Sequence, residues 1–123
     1  MSMNAIGQQD EPLISRERPI DLVHLARQTM GDRALEAEIL QLFVGQAASV
    51  LARLQAAQDA RARADLAHTL KGSARAVGAF RLAAAAQSCE NMVEQSGWSE
   101  ALAGLEAATH EALAAIEGFR RAA

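Results

Sequence analysis

An imidazole, an ammonium group and a glycine fall close together in the segment AHTLKGSARAVGAF, residues 67–80, as His68, Lys71 and Gly72. The segment reads as helix throughout, where an interior glycine costs about 1 kcal/mol relative to alanine. At about 100° per residue, Leu66, Leu70 and Val77 gather on one side of that helix, and His68 falls roughly 160–200° away from them, toward solvent. A histidine serving as core filler would sit on the stripe itself. Ala64 and Gly72, one turn to either side, leave almost no bulk beside the ring, which makes room for a partner or for a group attached to His68. Lys71 lies on the same side and is placed to reach an anion held there. Phosphate is the anion that suits such a pair. The plainer alternative, an ordinary exposed histidine beside an unrelated lysine, stays open on geometry alone.

These residues need a scaffold, and the chain supplies helices for it. Residues 1–18 are polar, aperiodic and contain Pro12, as a flexible tail would, and the folded domain is expected over residues 19–123. Pro19 and Asp21 open a short helix that Gly31 can close in a left-handed cap. Asp32 then caps a long helix whose inward stripe is Leu35, Ile39, Leu42, Phe43, Ala47, Val50, Leu51 and Leu54. A third helix spans about 59–77, with Leu66, Leu70, Ala74 and Val77 as its stripe, and stops at Gly78. A fourth spans about 80–95, turning Leu82, Ala85, Ala86, Cys89 and Val93 inward. Ser99 caps a fifth, with Leu102, Leu105, Ala108, Ala112, Ile116 and Phe119 as its stripe. No strand-like alternation is present. The pattern predicts an all-α fold, an antiparallel four-helix bundle with a short additional N-terminal helix.

Composition supports this and excludes other classes. The chain has 123 residues, half of them hydrophobic, but only 3% are aromatic and none is tyrosine. Alanine and leucine therefore carry the core, which favours close-packed helices over sheets. The single cysteine, Cys89, forbids an internal disulfide and reads as a buried structural thiol. No apolar run approaches the roughly 20 residues that span a bilayer, and no signal peptide opens the chain, so a cytoplasmic protein without membrane contact is expected. A net charge of −3 disfavours nucleic acid as a partner. Residues 59–81 nevertheless hold Arg61, Arg63, Lys71, Arg75 and Arg81 against Asp59 and Asp65, a local balance of +3 that would draw an acidic protein surface. His24 and His110 read as surface histidines, and Trp98 as packing at the turn before the last helix.

The run His68-Thr69-Leu70-Lys71-Gly72-Ser73, followed by Gly78-Ala79, resembles the signature of the histidine-containing phosphotransfer (HPt) domains of two-component phosphorelays. The resemblance covers roughly residues 19–95, taking in the Phe43 region, Leu82 and a polar residue on the following helix; the last helix matches only in character. It implies His68 as phosphoacceptor through Nε2, and Lys71 as a cation that helps neutralise the phosphoryl group. Gly72 and Gly78, with Ala64 and Arg75, would form the docking surface for a receiver domain. Glu90 occupies the position whose side chain would hydrogen-bond the other ring nitrogen, with Gln87 one turn earlier as the substitute. Cys89 departs from the larger aliphatic residue of many relatives.

The implied chemistry is that of a carrier. The chain has no Gly-rich phosphate loop, no nucleotide-binding motif and no carboxylate cluster suited to magnesium, so it is expected to shuttle phosphate without being a kinase and to need no cofactor of its own. Mg²⁺ is expected on the partner receiver. Expected partners are the receiver domains of response regulators and a sensor or hybrid histidine kinase, with the chain itself a free-standing monomer. A helical module that docks receivers without phosphotransfer is the first alternative. An enzyme using His68 as general base is the second, disfavoured because His68 stands on a convex face instead of in a pocket.

Overall fold

In a computed structural model, which describes residues 18–94 and 96–122, these residues form five helices. They are α1 (Leu22–Thr29), α2 (Arg33–Ala56), α3 (Ala60–Val77), α4 (Phe80–Asn91) and α5 (Trp98–Ala122). The tail expected over residues 1–18 lies outside the described residues apart from Arg18.

Asp21 and Asp32, identified as caps, do that work, and Asp59 does the same at the start of α3. Asp21 Oδ1 accepts from the backbone N–H groups of Val23 and His24, both at 3.1 Å, and Asp32 Oδ1 accepts from that of Leu35 at 3.0 Å. Asp59 Oδ2 accepts from the Ala62 N–H at 3.0 Å. Each satisfies an N–H that a helix start leaves without a partner. Two boundaries differ from expectation. The left-handed turn after α1 begins at Met30 (φ 54°) and continues through Gly31 (φ 81°), so glycine is its second residue. Ser99 does not cap α5. The helix already starts at Trp98, and the Gly97 carbonyl takes the first helical bond, from the Ala101 N–H at 2.9 Å.

α4 is also shorter than expected. It ends at Asn91, and the turn that follows is pinned by Arg63 of α3, which donates to the carbonyls of Val93 and, on the α2–α3 connection, Ala57, both at 3.1 Å. The same guanidinium lies 4.5 Å from the centre of the Trp98 ring, a cation–π contact at the start of α5. Arg63 thus fastens three chain segments at one end of the molecule.

At the other end, Gly78 closes α3 with φ 84°, and its carbonyl accepts from the Asp21 N–H at 2.9 Å. A Cβ there would come within 2.8 Å of the Asp21 carbonyl oxygen, so glycine is needed both for the left-handed backbone and for the close approach of α1. His24, expected at the surface, is half-buried against this junction with its ring edge-on to Phe80 (centroids 5.2 Å apart, planes at 77°). His110 is exposed.

Around the core, α2 packs on α3, α3 on α4, α4 on α5, and α5 back on α2, while α1 lies against α2 and α3. Leu54, Leu70, Leu82, Leu105 and Ile116 are fully enclosed where these helices meet. The inward stripe of α2 is narrower than expected. Leu40 joins Phe43, Ala47, Val50, Leu51 and Leu54, whereas Leu35 and Leu42 are exposed. α2 is apolar on more than one face, and by length and composition it alone among the described residues could cross a membrane, contrary to the expectation that no segment would pass that test. Six of its residues belong to the protein core.

Candidate functional site

His68 stands near the middle of α3 with 67% of its side chain exposed. Its surroundings follow from which face of α3 is buried. The enclosed residues are Ala67, Leu70, Lys71, Ala74 and Val77, with Leu66 only partly covered. That stripe is rotated toward His68 relative to the one drawn through Leu66, Leu70 and Val77. His68 therefore lies roughly 100–120° from the centre of the buried face instead of opposite it. The difference matters chemically. A ring directly opposite the core would have no neighbouring helix within reach, whereas a ring on the shoulder of α3 meets α4.

The meeting is with Glu90. His68 Nδ1 lies 3.2 Å from Glu90 Oε2, while Glu90 Oε1 accepts from the Lys71 ammonium at 2.9 Å. Lys71 Nζ donates in addition to Gln87 Oε1 at 2.8 Å, and Gln87 Nε2 donates to Asn91 Oδ1 at 3.0 Å. His68 and Lys71 are three residues apart on α3, Glu90 and Gln87 three apart on α4, and the pairs match in reverse order. Each pair shares one helix face, so two helices running past each other bring all four side chains together.

Burial grades along this set. Lys71 is 11% exposed, Glu90 25% and His68 67%. Sequence reasoning placed Lys71 at the surface beside His68; instead its stem runs in the α3 stripe and its ammonium is held between α3 and α4. The hydrogen bond from Lys71 is the main cause holding the Glu90 carboxyl below its ordinary pKa; partial burial opposes this, and the charges of Lys71 and His68 and the bond to His68 add to it. Glu90 is thus an ionised acceptor at neutral pH, and a carboxylate at Nδ1 favours the imidazole tautomer with its proton on Nδ1. Nε2, the nitrogen with the lone pair in that tautomer, has no hydrogen-bond partner among the described residues.

The space around Nε2 is open. A Cβ on Gly72 would meet nothing within 4 Å, Ala64 is partly covered, and Arg75 is exposed two turns along α3. Gly78 lies apart from this clearing, buried at the α1 junction. Gln87, considered as a substitute for Glu90 at the ring, touches Lys71 instead. That contact was not foreseen, although the matching three-residue spacings on the two helices carried the signal. Cys89 is fully buried behind this face of α4 and its thiol donates to the Ala101 carbonyl (3.3 Å); burial pushes its pKa up to about 11. Among the described residues no group of three or more His, Cys, Asp or Glu side chains is placed to hold a metal ion.

Comparison with known proteins places the chain in a family. The model of one family, the Hpt domain, matches residues 38–119, more than half of the chain, including all of α3 and α4. It begins later than the segment of resemblance and extends through most of α5. No curated protein and no solved structure gives a significant match.

Proposed function

The chain belongs to the Hpt domain family, whose members carry phosphoryl groups on histidine in two-component signalling, and on that premise we propose that it accepts a phosphoryl group on His68 Nε2 and exchanges it with the aspartate of response-regulator receiver domains. The observation that carries this reading is the polarity of the imidazole: Nδ1 engaged by a carboxylate at 3.2 Å, and Nε2 without a partner among the described residues on an exposed ring.

The step balances simply. The Nε2 lone pair forms the N–P bond as the O–P bond of the aspartyl phosphate breaks, and the bonding pair leaves with the receiver's carboxylate. The ring becomes a phosphoimidazolium whose proton remains on Nδ1, facing Glu90. Because phosphoryl transition states are loose, catalysis consists mainly of positioning and charge stabilisation. Glu90 positions the ring and offsets its developing positive charge, and Lys71 contributes positive charge to the site. The receiver brings the acidic pocket, its Mg²⁺ and the aspartate. The return transfer is the same path reversed.

Gly72, Ala64 and Arg75 form the surface on which the receiver sits, with Gly78 holding α3 in place at the α1 junction. The ring of packed helices, and contacts such as Arg81–Glu111 (3.2 Å) and Gln55–Glu106 (2.8 Å), fit an antiparallel four-helix bundle with α1 across one end. We place the protein in the cytoplasm, acting as a monomeric carrier between a sensor or hybrid kinase and a receiver.

Incubation with a panel of purified receivers carrying labelled phosphoryl groups tests the reading. Label should move to this chain from at least one receiver. A receiver that binds the chain tightly without transferring label would favour the docking module instead.

A further inference from the structure

Resting on that reading, we infer that Asp65 sets how readily phospho-His68 gives up its phosphoryl group. Its carboxylate stands on the Nε2 side of the ring and, by charge repulsion, tilts the exchange toward the receiver. The placement follows from α3 itself. At about 100° per residue, Asp65 and Lys71 lie about 60° to opposite sides of His68, one turn before it and one turn after. α4 is on the Lys71 side, because Glu90 engages both the Lys71 ammonium (2.9 Å) and His68 Nδ1 (3.2 Å). With Nδ1 drawn toward α4, Nε2 is turned to the other side, where Asp65, Thr69 and Gly72 are all exposed.

The cations of α3 leave the Asp65 charge standing. Lys71 is 11% exposed and its ammonium is held by Glu90 and Gln87. Arg61 and Arg75 are two turns from His68, about 10 Å along the axis, whereas Asp65 is one turn away, about 4.5 Å. Asp65 makes no ion pair or hydrogen bond with a side chain among the described residues. Before transfer it faces an uncharged Nε2. Afterwards the phosphoryl oxygens bring negative charge to that side, while the positive charge of the ring faces Glu90. Helix neighbours at this spacing are about 5–6 Å apart at Cβ. For exposed groups at that distance, a carboxylate beside a phosphoryl dianion shifts an equilibrium roughly two- to fivefold at about 0.1 M salt.

The equilibrium ratio isolates this effect. The N–P bond formed and the O–P bond broken are the same in every variant, and docking changes how fast the free proteins equilibrate but not their final ratio. The full chain is mixed with a labelled phosphorylated receiver at about 0.1 M salt, and label on each protein is quantified while total label is constant. Asp65→Asn should raise the ratio of phosphorylated chain to phosphorylated receiver about two- to fivefold. Asp65→Lys should raise it by about the square of that factor, and Asp65→Glu should stay near the native ratio. Glu100→Gln, the same loss of charge on α5, which does not pack against α3, should also stay near it. At about 1 M salt the Asp65→Asn effect should fall below about twofold. Circular dichroism confirms that each variant is folded. A native ratio in Asp65→Asn, or a shift that persists undiminished at high salt, overturns the inference, while label on the native chain leaves the relay reading standing. A native chain that takes label from no receiver overturns both.

Discussion

At the scale of single residues, one carboxylate does two jobs. Glu90 faces an imidazole with one oxygen and an ammonium with the other, and the ammonium keeps it charged. Replacing it with glutamine keeps the shape and removes the charge. We expect Glu90→Gln to slow phosphoryl acceptance by about 10- to 100-fold, by analogy with the loss of a carboxylate that orients a metal-bound imidazole, with helicity unchanged by circular dichroism. The same charge links the pair to stability. Because the pKa of Glu90 is lowered on folding, its ionised form stabilises the folded chain above the ordinary carboxylate range, and this contribution is lost as pH falls through the depressed value. Urea unfolding of native and Glu90→Gln chains should therefore show a gap near neutral pH that closes on acidification; a gap that widens in acid would contradict the assignment. Much of this site was legible in sequence. His68, Lys71 and Glu90 were identifiable from spacing and resemblance, and the structure brings all three together. The burial of Lys71 was not legible. A lysine in a sequence reads as a surface charge, and only the carboxylate and amide supplied by α4 make its place between the helices tolerable.

At the scale of helices, two glycines on and after α3 have opposite reasons. Gly72 meets nothing within 4 Å of an added Cβ, so its intrinsic penalty is not repaid by packing. Gly72→Ala should stabilise the fold by about 0.5–1 kcal/mol in thermal unfolding, whereas Gly72→Met, equally compatible with the helix, should impair transfer from a receiver by crowding His68. A Met variant that transfers at the native rate would show the clearing to be incidental. Gly78→Ala should destabilise by about 1–3 kcal/mol, since it combines a left-handed backbone with a 2.8 Å approach to Asp21. The caps at Asp21 and Asp32 were readable because a short acceptor just ahead of an apolar periodic run has little else to do. The end of α4 was harder. Val93 continues the apolar spacing, but Arg63 captures its carbonyl from a distant part of the chain, and no local pattern announces that. The wheel for α3 erred for a related reason: a single alanine and a lysine stem are weak hydrophobic markers, so Ala67 and Lys71 were left off a stripe drawn through Leu66, Leu70, Ala74 and Val77.

At the scale of the whole molecule, helices built mostly of alanine and leucine pack closely enough to hold the two site helices in register. Leu70 lies between His68 and Lys71 in α3 and is completely buried. Leu70→Ala should cost about 2–5 kcal/mol, measured by denaturant unfolding, because the surrounding helices cannot collapse fully into the space left. The all-helical class was readable from composition, while the double-sided apolar character of α2 hid which of its leucines point inward. What the packed helices deliver is a shoulder of α3 from which one imidazole projects with its Nε2 unclaimed among the described residues. The most direct measurement pairs the native chain with its His68→Gln variant, each incubated with a labelled phosphorylated receiver that serves the native chain. The account predicts label on the native chain, lost on mild acid treatment as expected of a phosphohistidine, and none on the variant, whose far-ultraviolet circular dichroism matches the native. Label appearing on the His68→Gln chain would contradict it.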